Sequence, residues 1–237
     1  MTDRVRRQKI SGEVRRQLLD LIESGTVGPG EPLPSERELM ERIGVGRPAI
    51  REAMQSLETI GLIEIRHGGR ARVAEPSVGR MVDQVGQSMK HILFHSPASL
   101  ENLKEARATL EREMASIAAK RRSAGDIARL EALVAEQAAA LADPLAFRRL
   151  DGQFHREIAA VNGNPIFTAL VEGLFTWLSD FHVDLVSSPG LEQLTLAEHR
   201  QILDAIARGE AEAAGAAMTD HLMRANDLYR RSHLMRG

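Results

Sequence analysis

Residues 33–63, LPSERELMERIGVGRPAIREAMQSLETIGLI, read as a helix, a tight turn and a second helix, and this stretch decides the fold. Ser35 is placed to cap the first helix, with Glu38 three residues on to return the bond to its backbone N–H. Gly44-Val45-Gly46 should stop that helix. Pro48 sits where a helix start tolerates a missing N–H, and Gly61 where a helix end accepts a left-handed residue.

Ile50, Ala53, Met54 and Leu57 recur at helical spacing, so one face of the second helix is expected to be buried. The opposite face carries Arg47, Arg51 and Gln55. Arg and Gln present paired hydrogen-bonding groups that match guanine and adenine edges, and Arg also grips phosphate. Taken alone, the two helices fit equally well a helical hairpin with a solvated charged face. The residues that follow favour the first reading. Leu62 to Arg66 read as a short strand, His67-Gly68-Gly69 as a hairpin turn, and Arg70 to Val73 as the returning strand. The sum is a helix-turn-helix with a small β-wing.

Gly30, Leu33-Pro34-Ser35-Glu36-Arg37-Glu38-Leu39, Gly44-Val45, Arg47, Ile50-Arg51-Glu52-Ala53, Leu57 and Gly61-Leu62-Ile63 together resemble the winged-helix signature of the GntR family of transcription regulators. So many fixed spacings within about thirty residues are far more specific than a lone glycine pattern. The resemblance implies a DNA-binding regulator. It implies contacts to DNA from Arg37, Arg47 and Arg51, and from His67 and Gly68 on the wing; Gln55 and Gly69 are added to that set.

Working outward, 43% hydrophobic content over 237 residues supports one large or two ordinary domains with real cores. Cysteine is absent, which excludes disulfides and thiolate chemistry and leaves His, Asp and Glu for any metal site. No apolar run approaches the ~18 residues that suggest a membrane span, and MTDRVRRQKI lacks the apolar centre of a signal peptide. A cytoplasmic protein without membrane partners is expected. Residues 1–76 carry a net charge of +1 and the remainder −3. Attraction to phosphate must therefore come from local clusters. Arg66, Arg70 and Arg72 form one on the wing. Arg4, Arg6, Arg7 and Lys9 form another, or else a solvated terminus.

Before the central stretch, Ile10, Val14, Leu18, Leu21 and Ile22 share a helical stripe that Gly25 ends, and residues 27–32 form a Gly/Pro loop. After Val73, Ala74-Glu75-Pro76-Ser77 breaks the strand, and all that follows has helical periodicity. Helices are expected over 78–94, from about 96 to 122, and over 125–142, 144–162, 165–187, 191–208 and 210–232, punctuated by Gly and Pro. The fold class is mostly α: a winged helix-turn-helix domain (1–76), a connector helix (77–95) and an all-α helical bundle (96–237).

Inside the bundle, Asp151 and His155 are one helical turn apart on the stripe of Phe147, Phe154 and Ile158. His199 shares a stripe with Ile202 and Ile206, and His221 one with Met218 and Leu222. Any one inward histidine reads as a satisfied core residue. Four inward groups together point to a metal, because an unpaired carboxylate in a bundle is costly and a divalent cation shared with three imidazoles neutralises it. A pair at i and i+4 with single ligands from two other helices gives convergent coordination. Asp151-x-x-Phe154-His155, Glu198-His199 and His221-Leu222 also resemble the metal-binding pattern of the FCD domain, the effector-binding half of one GntR branch. Zn²⁺ suits these donors, with Ni²⁺ or Mn²⁺ as alternatives.

That resemblance implies a small organic-acid effector beside the metal, faced by an arginine of the first long bundle helix. Arg107, between Leu103 and Leu110, is placed to clamp a carboxylate or, equally, to pair within the bundle. Trp177 reads as core and Asn164-Pro165 as a helix start, while His91, His95, His182 and His233 join no constellation. The expected protein is a homodimeric, ligand-responsive repressor on a palindromic double-stranded operator. The alternatives are a metal-dependent hydrolytic enzyme, or a regulator whose effector is the metal itself.

Overall fold

Ser35 begins the second helix as the spacing requires. Its hydroxyl accepts from the Glu38 N–H while the Glu38 carboxylate accepts from the Ser35 N–H, a complete capping box. The computed structural model describes residues 2–66, 69–179 and 191–234, with side chains described for 10–66, 69–179 and 191–224. It divides into two compact units, Met1–Gln84 and Val85–Gly237.

The first unit holds α1 (Thr2–Glu23), α2 (Glu36–Ile43), α3 (Arg47–Thr59) and two short antiparallel strands, β1 (Ile63–Glu64) and β2 (Arg72–Val73). Gly44 closes α2 at φ 74° and Gly61 follows α3 at φ 73°, a left-handed backbone that glycine adopts at low cost. Pro48 lies in the first turn of α3. Val14 and Leu18 of α1 meet Leu33, Leu39, Ile50, Leu57, Ile63 and Val73 in one core. Each fully buried aliphatic side chain there contributes about 1.5–3 kcal/mol of transfer free energy.

The local patterns extend differently from the expectation in two places. The first helix begins at Thr2 although its apolar stripe starts only at Ile10, because no breaker interrupts residues 2–9. The paired strands cover two residues each, in the register Ile63↔Val73 and Glu64↔Arg72. Only Ile63 and Val73 bury side chains in this ladder, and Pro32 bridges to Arg72 on its other side. The tip of the wing, His67-Gly68, lies outside the described residues.

Helix α4 (Val78–His95) runs from the first unit into the second. There follow α5 (Pro97–Arg121), α6 (Ala124–Ala139), α7 (Pro144–Ala160), α8 (Pro165–Ser179), α9 (Leu191–Arg208) and α10 (Ala211–Leu234). Ser96 and Asp143 cap α5 and α7 with a side-chain oxygen, where the sequence placed those starts, whereas α6 begins one residue before the expected Gly125 break, capped by Ser123, and carries Gly125 inside its first turn. The expected end of the fourth bundle helix, 180–187, lies outside the described residues. Ala115, Ala118 and Ala119 of α5 are fully buried, and a Cβ at Gly215 of α10 would lie 3.3 Å from the Arg112 carbonyl. Small residues thus let α5 and α10 approach closely. The core around them is built from Phe154, Ile158, Ile202, Ile206, Met218 and Leu222. Trp177 is buried, as its reading as a core residue requires.

Candidate metal centre and nucleic-acid interface

The helical stripe that carries Phe154 and Ile158 into the core carries Asp151 and His155 with them, since residues one turn apart share a face. Helices α9 and α10 deliver His199 and His221 by the same rule. One ligand atom from each of the four residues lies within 4.8 Å of the others. The three imidazoles are almost completely buried, whereas the Asp151 side chain keeps 20% of its surface. Ring centroids stand 5.4 Å apart for His155 and His199, 5.2 Å for His155 and His221, and 4.8 Å for His199 and His221.

Each ring is held by its Nδ1. His155 Nδ1 donates to Glu111 of α5, His199 Nδ1 to Gln137 Oε1 of α6 at 2.8 Å, and His221 Nδ1 to Glu198 of α9 at 2.8 Å. A proton on Nδ1 leaves the Nε2 lone pair available as a ligand. His155 Nε2 and His199 Nε2 are indeed buried with no hydrogen-bond partner, although Asp151 Oδ1 stands 3.3 Å from the latter. Phe154 stacks on His199 at 4.2 Å between centroids, fixing that ring from its face. Two orphaned acceptors beside a partly buried carboxylate are costly unless a cation satisfies them. The donor set therefore fits a divalent metal.

The electrostatics agree. Burial pushes the His199 imidazole down to about 4 and lowers His221 as well, so both rings are neutral near pH 7. Burial acts to raise Asp151, and the hydrogen bond with His199, together with the positive charge the rings carry when protonated, holds the carboxyl below its usual range. Glu111 is likewise raised by burial, yet the Arg107 guanidinium and the His155 ring bring it to about 2. A neutral His199 and His221 beside an ionised Asp151 match the protonation state that a metal requires.

Arg107 is buried, its Nε 2.5 Å from Glu111 Oε1 and its guanidinium carbon 5.2 Å from the Phe175 ring centroid. Of the two readings its position allowed, the structure displays the ion pair within the bundle. The chain Arg107–Glu111–His155 makes that pair part of the ligand set's support. Glu111 and Gln137 were not singled out in the sequence. Glu111 stands four residues after Arg107 on an inward stripe and Gln137 shares the stripe of Leu130 and Val134, positions that do not by themselves tell a paired side chain from a solvated one.

In the first unit Arg47 and Arg51 project from α3 with 64% and 67% of their side chains exposed. Both reach Glu36, Arg47 Nε at 3.3 Å and Arg51 Nε at 3.1 Å, so one carboxylate organises the pair. Arg37 is 81% exposed and stands 3.9 Å from Glu41. A cleft of about 430 Å³ between α3 and the wing is lined by Glu36, Arg51, Gln55, Gly69 and Arg70. Arg37, Arg47, Arg51, Gln55 and Gly69 are thus all at the surface. His67 and Gly68 lie outside the described residues, as do the side chains of Arg4, Arg6, Arg7 and Lys9.

Comparison with known proteins agrees with both halves. Residues 10–73 match the family of bacterial regulatory proteins termed gntR, and residues 102–224 match the FCD domain. The HTH-type transcriptional repressor NanR of Edwardsiella tarda is 35% identical over 224 residues, covering 91% of this chain and 84% of that protein. Its counterpart in Cronobacter sakazakii is 34% identical over the same shares. Among solved structures, a Streptococcus agalactiae GntR protein superposes with a TM-score of 0.64 at 30% identity, covering 94% of this chain and 99% of that one.

Proposed function

The chain belongs to the GntR family of bacterial regulatory proteins, with an FCD domain after its helix-turn-helix, and from that premise we propose that it is a homodimeric repressor released by a small organic acid bound beside a divalent ion. It is a DNA-binding transcriptional regulator and not an enzyme. The observation that carries the proposal is the convergence of Asp151, His155, His199 and His221, three of them oriented through Nδ1, in a chain that also presents an arginine face on α3.

Arg47, Arg51 and Gln55 enter the major groove and meet base edges, while Arg37, His67, Gly68 and Gly69 hold the phosphate backbone. DNA competes with Glu36 for Arg47 and Arg51, so the carboxylate that aligns them must yield them on binding. A two-fold protein imposes a two-fold operator, hence a palindromic double-stranded site. In the bundle, Asp151, His155, His199 and His221 would hold the ion; Zn²⁺ suits this nitrogen and carboxylate set, and Ni²⁺ or Mn²⁺ are accommodated. When bound, the ion neutralises Asp151 and offers a Lewis-acidic position to a carboxylate. Arg107 supplies the second positive group for that anion, exchanging part of its bond to Glu111. The effector class is a small carboxylate or sugar acid, and the protein acts in the cytoplasm on catabolic genes.

The experiment is an operator mobility-shift assay on metal-loaded protein, with sugar acids, aromatic acids and short dicarboxylates added in turn. Release by one acid from the metal-loaded protein supports the proposal. Release by a chelator alone, with no response to any acid, assigns the role of effector to the metal itself. Indifference to both would overturn the regulatory reading of the bundle.

A further inference from the structure

Two histidines that the buried cluster does not use stand together on the surface. His91 and His95, four residues apart on α4, are both exposed, and their ring centroids are 4.6 Å apart at an interplanar angle of 61°. Two imidazoles that share one ion at Zn–N distances of roughly 2.0–2.1 Å bring their centroids to about 4.5–5 Å. The buried trio, whose donors converge, spans 4.8–5.4 Å between centroids. The surface pair therefore already has the separation that a shared ion imposes.

Helix geometry supplies the rest. Residues at i and i+4 are neighbours on one face, so the helix orders two ligands that would be independent on a flexible segment. Two imidazoles bound as one chelate on a helix are a recurrent way to hold a transition-metal cation. The opposite side of the helix is fixed, since Val82, Gly86 and Leu93 are buried. A Cβ at Gly86 would stand 2.9 Å from the Trp177 indole nitrogen, which shows how closely this face packs. The pair therefore lies on the side of α4 away from Leu93 and the Gly86–Trp177 approach.

We propose that His91 and His95 form a second, surface metal site, a two-imidazole chelate on the last turns of α4 for a divalent cation of the Zn²⁺ or Ni²⁺ class. The remaining coordination positions take water. With two protein ligands instead of four, the site is weaker than the buried one and fills at higher free metal. Occupancy ties one turn of α4 to the next, in the helix that continues from the first unit into the second.

The test is a calorimetric Zn²⁺ titration of the full chain, repeated with Ni²⁺, on wild type, His95→Gln and His91→Gln/His95→Gln, after saturation of any tighter equivalent. Wild type should take up a further equivalent of at least one of the two cations. The single variant should bind it at least tenfold more weakly and the double variant should lose it, with the tighter equivalent and the far-ultraviolet circular dichroism unchanged. Because both side chains are exposed, the variants should fold. Absence of the weaker equivalent from wild type with both cations, or its persistence in the double variant, would overturn the proposal. The outcome is independent of the buried cluster, which these variants leave intact.

Discussion

Arg51 stands two-thirds exposed on α3, its guanidinium paired with the Glu36 carboxylate. Its removal should therefore spare the fold and fall on DNA. Arg51→Ala is expected to weaken operator binding by about 1–3 kcal/mol with an unchanged melting curve, and a mobility-shift titration on one operator fragment checks it. Glu111 is the opposite case, buried between Arg107 and His155. Glu111→Gln keeps an acceptor of the same shape for His155 but removes the charge that opposes Arg107. A chelator-competition titration should show metal affinity reduced by about 10–100-fold. Thermal unfolding should show a loss of about 3–5 kcal/mol, because a buried guanidinium loses the charge of Glu111. Retained metal affinity would mean that the His155 ring needs no such support.

At the scale of elements, two glycines separate the effects that punctuate this chain. Gly61 follows α3 at φ 73°, where a Cβ would also run into the Gln84 amide. Gly61→Ala should cost about 1–2 kcal/mol or more. Gly12 lies within α1 with nothing within 4 Å of a Cβ. Gly12→Ala should stabilise by about 0.5–1 kcal/mol, so the same substitution changes sign, and denaturant midpoints decide it. This contrast also explains what could be read in advance. Ser35, Gly44, Pro48, Ser96, Asp143 and Pro165 mark boundaries through local chemistry, which the chain writes into its own neighbours. The start of α1 and the shortness of the wing strands were not legible, since neither carries a breaker or a long alternating run. Asp151 and His155 were legible because one turn of helix places them together. Glu111 and Gln137 were not, because a polar residue on an inward stripe looks the same whether it is paired in the core or reaches solvent.

For the whole molecule, the two compact units divide the chemistry: exposed arginines in one, buried imidazoles in the other. The near-zero balance of charge is consistent with this, since only local arginine faces attract DNA and the bundle contributes no basic field. Among the described residues no helix is long and apolar enough to cross a membrane. The proposed role of the bundle turns on whether Asp151, His155, His199 and His221 hold a cation. The most direct measurement is elemental analysis of wild type and His199→Ala, both purified without chelators and dialysed against metal-free buffer. Wild type should retain about one equivalent of a divalent metal per chain beyond the buffer, and the variant, at the same circular dichroism, little or none. Full metal content in His199→Ala, or a wild type that retains none after loading with Zn²⁺, Ni²⁺ and Mn²⁺ in turn, would contradict it.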